Sequence, residues 1–275
     1  MSISAPRYAA TSVERLGRMA RTLSILRHEI LRRAGLGNLL VVALTYLGVT
    51  LIVVVNGELS SAVGQLSLST YETPFGSPLW GLLTLIVATA VGAGSLADDR
   101  GSRAIVLYLS RPIHLGDYLS AKASSIGSWM VIAAMGPGLV GVGILAVLGV
   151  GSASMNLTAA AGFTAVGVLA AIFFTGLALA LSSLTDRALY AGVAMFGSVL
   201  SLDIGADVVS SVTGNSTVFY ASPITDLTTV AEAAFHLPGP YAIDPVRAAL
   251  LLIVSGASLV AVAYWRLSRV EVVGE

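Results

Sequence analysis

The sequence predicts an all-α, polytopic membrane protein: six transmembrane helices preceded by an N-terminal amphipathic interfacial helix. Three observations predict it. Of 275 residues, 56% are hydrophobic and only 11% charged, whereas a soluble domain of this size carries about 25% charged residues. The mean hydropathy is +0.87. Six apolar runs approach the length, about 20 residues, that a helix needs to cross a hydrocarbon layer about 30 Å thick.

Residues 1–38 form a basic N-terminal segment with Arg7, Arg15, Arg18, Arg21, Arg27, Arg32 and Arg33 against Glu14 and Glu29. No secretory signal is expected, because the first long apolar run begins only at Leu39, behind Arg-rich sequence. A signal places its apolar core nearer the start and follows it with small residues. Within the segment, Thr11-Ser12-Val13-Glu14 fits a capping box. At 100° per residue, Val13, Leu16, Met19, Ala20, Leu23, Leu26, Ile30 and Leu31 fall on one face. Arg15, Arg18, Arg21, Arg32 and Arg33 fall on the other, and Arg27 interrupts the apolar face. Thr11–Ala34 is therefore expected to lie flat in the membrane interface, cations toward anionic headgroups.

The runs Leu39–Val55, Leu79–Leu96, Ile126–Val150, Leu157–Leu181, Ala188–Val209 and Val246–Trp265 make up a transmembrane domain over 39–265. Each must be helical, since lipid offers the backbone no hydrogen-bond partners. Pro137, between Gly136 and Gly138, is expected to kink or break the third. Fourteen of the fifteen basic residues fall in the N-terminal segment, in 97–125, in the Asp186-Arg187 turn or in the 266–275 tail; Arg247 is the exception. Residues 57–78 and 202–245 are acidic by contrast. Cytoplasmic connections carry the excess of Lys and Arg, so both termini are expected in the cytoplasm, as an even number of spans requires. Residues 210–245 form a long external segment. In it Leu227, Val230, Ala231, Ala234 and Phe235 have helical spacing, which predicts a short amphipathic or re-entrant helix.

The chemistry of the chain is defined partly by what it lacks. There is no Cys, which removes disulfides and thiolate ligands. The single Lys, Lys122, follows no Gly-rich loop, so no P-loop exists. His28, His114 and His236 sit in three different segments, and no metal site or catalytic residue is predicted. Asp203 and Asp207, one turn apart on the fifth run, form the possible ion or polar site. They also read as two acids at a wet helix end. Asn156-Leu157-Thr158 and Asn215-Ser216-Thr217 fit the glycosylation sequon on the expected outer side.

The connection after the second run is unusual. Charged flanks surround the apolar stretch Ile105–Leu109, and Pro112 ends it. The order Asp98-Asp99-Arg100-Gly101-Ser102, the apolar stretch, Ser110-Arg111-Pro112-Ile113, Tyr118-Leu119 and Lys122 resembles the loop after the second span in permease subunits of type-2 ABC exporters. There an acidic residue and a Gly-Thr pair precede a coupling helix; here Asp stands for the usual Glu and Ser102 for Thr. The resemblance implies that 97–122 is a coupling segment, in which Asp99, Gly101, Ser102, Arg103 and Leu107 contact an ABC ATPase subunit and Pro112 shapes the turn. It implies that the chain is no enzyme and holds no cofactor, ATP and Mg being bound by the partner ATPase. It further implies a second permease, identical or not, and the plasma membrane of a prokaryote. No nucleic acid is implied. The alternatives are a secondary transporter or channel, or a membrane-embedded assembly factor or enzyme.

Overall fold

A computed structural model describes residues 18–76, 78–102, 114–239 and 241–269. Helix α1 is Arg18–Arg33, α2 Leu36–Ala62, α3 Leu68–Gly76, α4 Pro78–Gly92 and α5 Gly94–Gly101. Then come α6 Leu115–Val147, α7 Ala153–Leu184, α8 Ala188–Thr213, a 3-10 turn Ser216–Ala221, α9 Pro223–Ala234 and α10 Pro245–Ser268. Six stretches among the described residues are long and apolar enough to cross a membrane: α2, α4–α5, α6, α7, α8 and α10. The protein is a polytopic all-α membrane protein.

Helix starts follow local chemistry. Ser222 before Pro223 and Asp244 before Pro245 accept hydrogen bonds from Thr225 and Arg247 backbone N–H groups. A polar N-cap followed by proline uses the position where a missing N–H costs nothing. Gly214 ends α8 with φ of 68°, the left-handed conformation that glycine adopts without strain.

The fourth span is the axis of the bundle. It packs on α6 and α10 and also meets α4, α5, α8 and α9. Its buried side is built of small residues alternating with Phe163, Val166, Phe173 and Phe174. A Cβ on Gly167 would lie 2.8 Å from the Met135 Cα. One on Gly176 would collide with the Gly256 carbonyl, and one on Gly256 would lie 3.0 Å from the Ile172 carbonyl. Helices in lipid associate through such close approaches, because burying apolar surface gains little when the solvent is itself apolar. The first, fifth and sixth spans lie outside, with Leu47, Val193, Leu250 and similar side chains exposed.

Three expectations change. The third span runs through Pro137 as one helix, so of the two expected outcomes the break does not occur. Two hydroxyls from α2 bond the backbone near it, neither of them to the Ala133 carbonyl that Pro137 leaves without its helical donor: Tyr46 donates to the Ile132 carbonyl at 3.0 Å and Thr50 to the Pro137 carbonyl at 2.9 Å. Second, the helical piece that leads through Lys122 is continuous with the third span, so that α6 begins at Leu115, ahead of the apolar run from Ile126, with Tyr118 and Lys122 in its first two turns. Third, Arg33 does not face solvent; it is buried with Glu29 where α1 packs on α6. Met19, Leu23 and Leu31 of α1 are exposed on the side away from the bundle. The capping box lies outside the described residues.

The 210–245 segment does contain a helix. In α9, Leu227, Ala231 and Phe235 face inward, and Phe235 joins Phe75 and Phe163 in an aromatic cluster with centroids 5.0–5.9 Å apart. Helix α3, between the first two spans, supplies Phe75 and was not anticipated. The two sequon asparagines have structural partners. Asn156 accepts from the Tyr71 hydroxyl at 2.6 Å, and Asn215 accepts from the Thr217 N–H at 3.0 Å.

Candidate functional site

At the basic end of the bundle, three elements meet in a buried ion cluster. The inward face of α1 supplies Glu29 and Arg33, one turn apart. The last turn of α5 supplies Asp99. The first two turns of α6 supply Tyr118 and Lys122, again spaced i, i+4 and so on one face. Glu29 is 1%, Asp99 3% and Lys122 0% exposed.

Lys122 is the bridge. Its Nζ lies 2.8 Å from Glu29 Oε1 and 2.7 Å from Asp99 Oδ2. The Tyr118 hydroxyl donates to Asp99 Oδ2 at 2.6 Å. Arg32 reaches Asp99 Oδ1 at 3.2 Å, and Arg33 reaches Glu29 Oε2 at 3.2 Å. Arg33 also donates to the Val91 carbonyl of the second span. Burial draws the Arg33 guanidinium below its ordinary pKa, with Glu29 pulling the other way. Burial also opposes the charge on Arg32, but the Glu29 and Asp99 carboxylates outweigh it and raise that pKa.

Burying charges costs several kcal/mol per ion unless partners and hydrogen bonds compensate them. Here each carboxylate has a cation on each side, so the cluster is satisfied only when α1, α5 and α6 keep their register. An ammonium is a compact charge with three donors, which suits a closed space between two carboxylates.

The cluster clamps both ends of the connection between the second and third spans. Asp99 lies just before it, and Tyr118 and Lys122 just after it. Arg103, Leu107 and Pro112 lie outside the described residues. Gly101 and Ser102 are exposed at the end of α5. The Ser102 hydroxyl caps that end by donating to the Asp98 carbonyl at 2.7 Å. A Cβ on Gly101 would stand 2.5 Å from the Asp186 carbonyl, so glycine lets α5 pass the turn between the fourth and fifth spans. Arg100 holds the same turn through Asp186 Oδ1 at 3.0 Å and the Ser183 carbonyl. Asp99 itself is turned inward, with both oxygens engaged inside the chain.

The other expected pair lies on α8, away from the ion cluster. Asp203 accepts from the Ser222 hydroxyl at 2.5 Å and lies 3.5 Å from that of Thr225, tying α8 to the start of α9; Asp207 is exposed. Sequence reasoning passed over Glu29, which counted only toward the charge of the N-terminal segment, and gave Tyr118 no role of its own. One signal was available: a single Lys among fourteen Arg marks a position where a guanidinium does not serve.

A groove of about 770 Å³ runs between the second and fifth spans, lined by Thr89, Ala93, Gly94, Gly192 and Phe196, with Asp98 its charged residue.

Comparison with known families places the chain. The sequence model described as ABC-2 family transporter protein covers residues 32–272, which takes in all six spans. No curated protein matches the chain.

Proposed function

This chain belongs to the ABC-2 transporter family, and from that premise we propose that it is the membrane-spanning half of an ATP-driven exporter, coupled to a separate ATPase subunit. The observation that carries the reading is the Glu29–Lys122–Asp99 bridge. It fastens α1 and both flanks of the 97–122 connection into one unit. A push on that connection from an ATPase would then move the second and third spans and α1 together. Without the bridge, the connection would shift while the spans stayed.

In this reading the basic end faces the cytoplasm of a prokaryotic cell, following the distribution of Lys and Arg. Arg103, Leu107 and Pro112, with exposed Gly101 and Ser102, meet the ATPase. Asp99 acts by positioning that surface. ATP and Mg belong to the partner. A second permease faces the groove between the second and fifth spans, which serves as the path for cargo.

The test is the ATPase rate of the reconstituted complex. Lys122→Met and Asp99→Asn should leave the ATPase bound but change its rate toward that of the isolated subunit. Rates identical to wild type in both variants would remove the bridge from the coupling path.

A further inference from the structure

The outer half of the bundle encloses a second space. A cavity of about 280 Å³ lies between the fourth, fifth and sixth spans, closed at one end by α9. Its walls include Phe173, Leu177, Val199, Leu252 and Leu259. Two serines in the lining are already satisfied: Ser198 donates to the Met195 carbonyl at 3.1 Å and Ser255 to the Leu252 carbonyl at 3.2 Å. The Tyr220 oxygen accepts from the Asp244 N–H at 2.8 Å. Asp226 differs. It is the charged residue of the lining, 3% exposed, and its Oδ1 has no hydrogen-bond partner among the described residues.

We propose that this cavity binds a hydrophobic amine, whose ammonium group pairs with the Asp226 carboxylate while its apolar body fills the space between the three spans. A buried carboxylate with an open oxygen in apolar surroundings is costly, and an ammonium supplies both the missing donor and the missing charge. An anionic ligand would be repelled. The volume, near the lower end of the about 300–1,000 Å³ seen for ligand pockets, suits a compact molecule. Leu202 and Leu251 in the lining are 45% and 43% exposed, so the cavity opens sideways between the fifth and sixth spans. An apolar amine dissolved in the membrane could enter there.

The surroundings leave this carboxyl to the ligand. The fourth span carries no ionisable group. The fifth offers Tyr190, Asp203 and Asp207, the 3-10 turn Tyr220, α3 Tyr71 and Glu72, and α9 itself Glu232. The sixth carries Arg247, Tyr264, Arg266 and, one residue past its end, Arg269, none of which bonds Asp226 among the described residues. Burial alone pushes the Asp226 carboxyl up to about 7. An ammonium could also come from an aminophospholipid headgroup, but its phosphate would then lie near Asp203, which bonds the Ser222 hydroxyl one turn before Asp226. That favours a free amine.

Binding to the permease alone is independent of the transport reading, so either can fail without the other. The permease in phosphatidylcholine nanodiscs would be titrated calorimetrically with 1-adamantylamine, neutral 1-adamantanol and 1-adamantanecarboxylate. The amine should bind at least about tenfold tighter than the alcohol, and the carboxylate should not bind. Amine affinity should rise about tenfold from pH 6 to pH 8 as Asp226 ionises while the amine stays protonated. Asp226→Asn should bring the amine down to the level of the alcohol and leave the alcohol unchanged. Competition from added phosphatidylethanolamine, present in wild type and absent in Asp226→Asn, would assign the ammonium to a headgroup and overturn the free-amine assignment. Equal affinity for amine and alcohol in wild type at pH 8, or a preference for the amine over the alcohol that survives Asp226→Asn, would overturn the site itself. The preference for amine over alcohol and carboxylate in wild type needs no variant and decides the matter even if Asp226→Asn fails to fold.

Discussion

At the scale of single residues, Lys122 carries the most consequence. Removing one partner from a buried ion cluster leaves an uncompensated charge, at a cost of about 3–5 kcal/mol. Lys122→Met places Glu29 and Asp99 side by side without their shared cation. Its unfolding midpoint in detergent should fall accordingly. Adding Glu29→Gln should recover part of the loss, and a double-mutant cycle should return a coupling of about 0.5–3 kcal/mol; strict additivity would show that the two side chains do not interact. Lys122→Arg should be nearly as harmful, because the position is fully buried and a guanidinium is larger and planar. Asp99 and Lys122 were legible in the sequence because they flank a recognisable motif. Glu29 was not. Its partner is 93 residues away, and helical periodicity says which face a residue occupies but not what that face meets.

At the scale of elements, the fourth span depends on small residues at its crossings. Gly167→Leu and Gly176→Leu force the helix away from Met135 and from Gly256. Overpacking of this kind costs about 1–3 kcal/mol or more, visible as a lowered melting midpoint in detergent. Wild-type stability in both variants would show that the helices can separate freely. Helix α9 makes a different prediction. Burial, with the charge of Glu72 adding to it, raises the Glu232 carboxyl to about 7. The folded state therefore holds a proton that the unfolded state releases near pH 4.5. Stability from this group is greatest at low pH and is lost as pH rises from about 4.5 through about 7. Glu232→Gln should thus match wild type at pH 5 and exceed it at pH 8; a stability difference independent of pH would contradict this. The six apolar runs were legible because membrane length and hydropathy are strong signals. Continuity through Pro137 was not, because helical periodicity does not say what packs beside a proline, here Tyr46 and Thr50 of another helix.

At the scale of the whole molecule, the alternation of charge carries the proposed orientation, with the basic end inward. The chain has no cysteine, so single-cysteine variants report on one position each. Cysteine at Asn215, in the exposed turn after the fifth span, should react with an impermeant maleimide added to intact cells. Cysteine at Ser102 or Ser268 should react only after permeabilisation. The reverse pattern would invert the protein in the membrane and remove the cytoplasmic location of the ion cluster. The layout of spans was legible. The proposed coupling surface rests on the motif, and Arg103, Leu107 and Pro112 lie outside the described residues.

The most direct measurement is purification of the tagged protein in mild detergent, with quantification of any ATP-binding subunit that accompanies it. An ABC ATPase in about equal amount, lost when residues 103–109 are replaced, is the predicted result. A preparation without a nucleotide-binding partner, still empty after crosslinking in native membranes, would contradict the coupled-exporter reading and turn attention to Asp203 and Asp207 as groups in an ion-driven path.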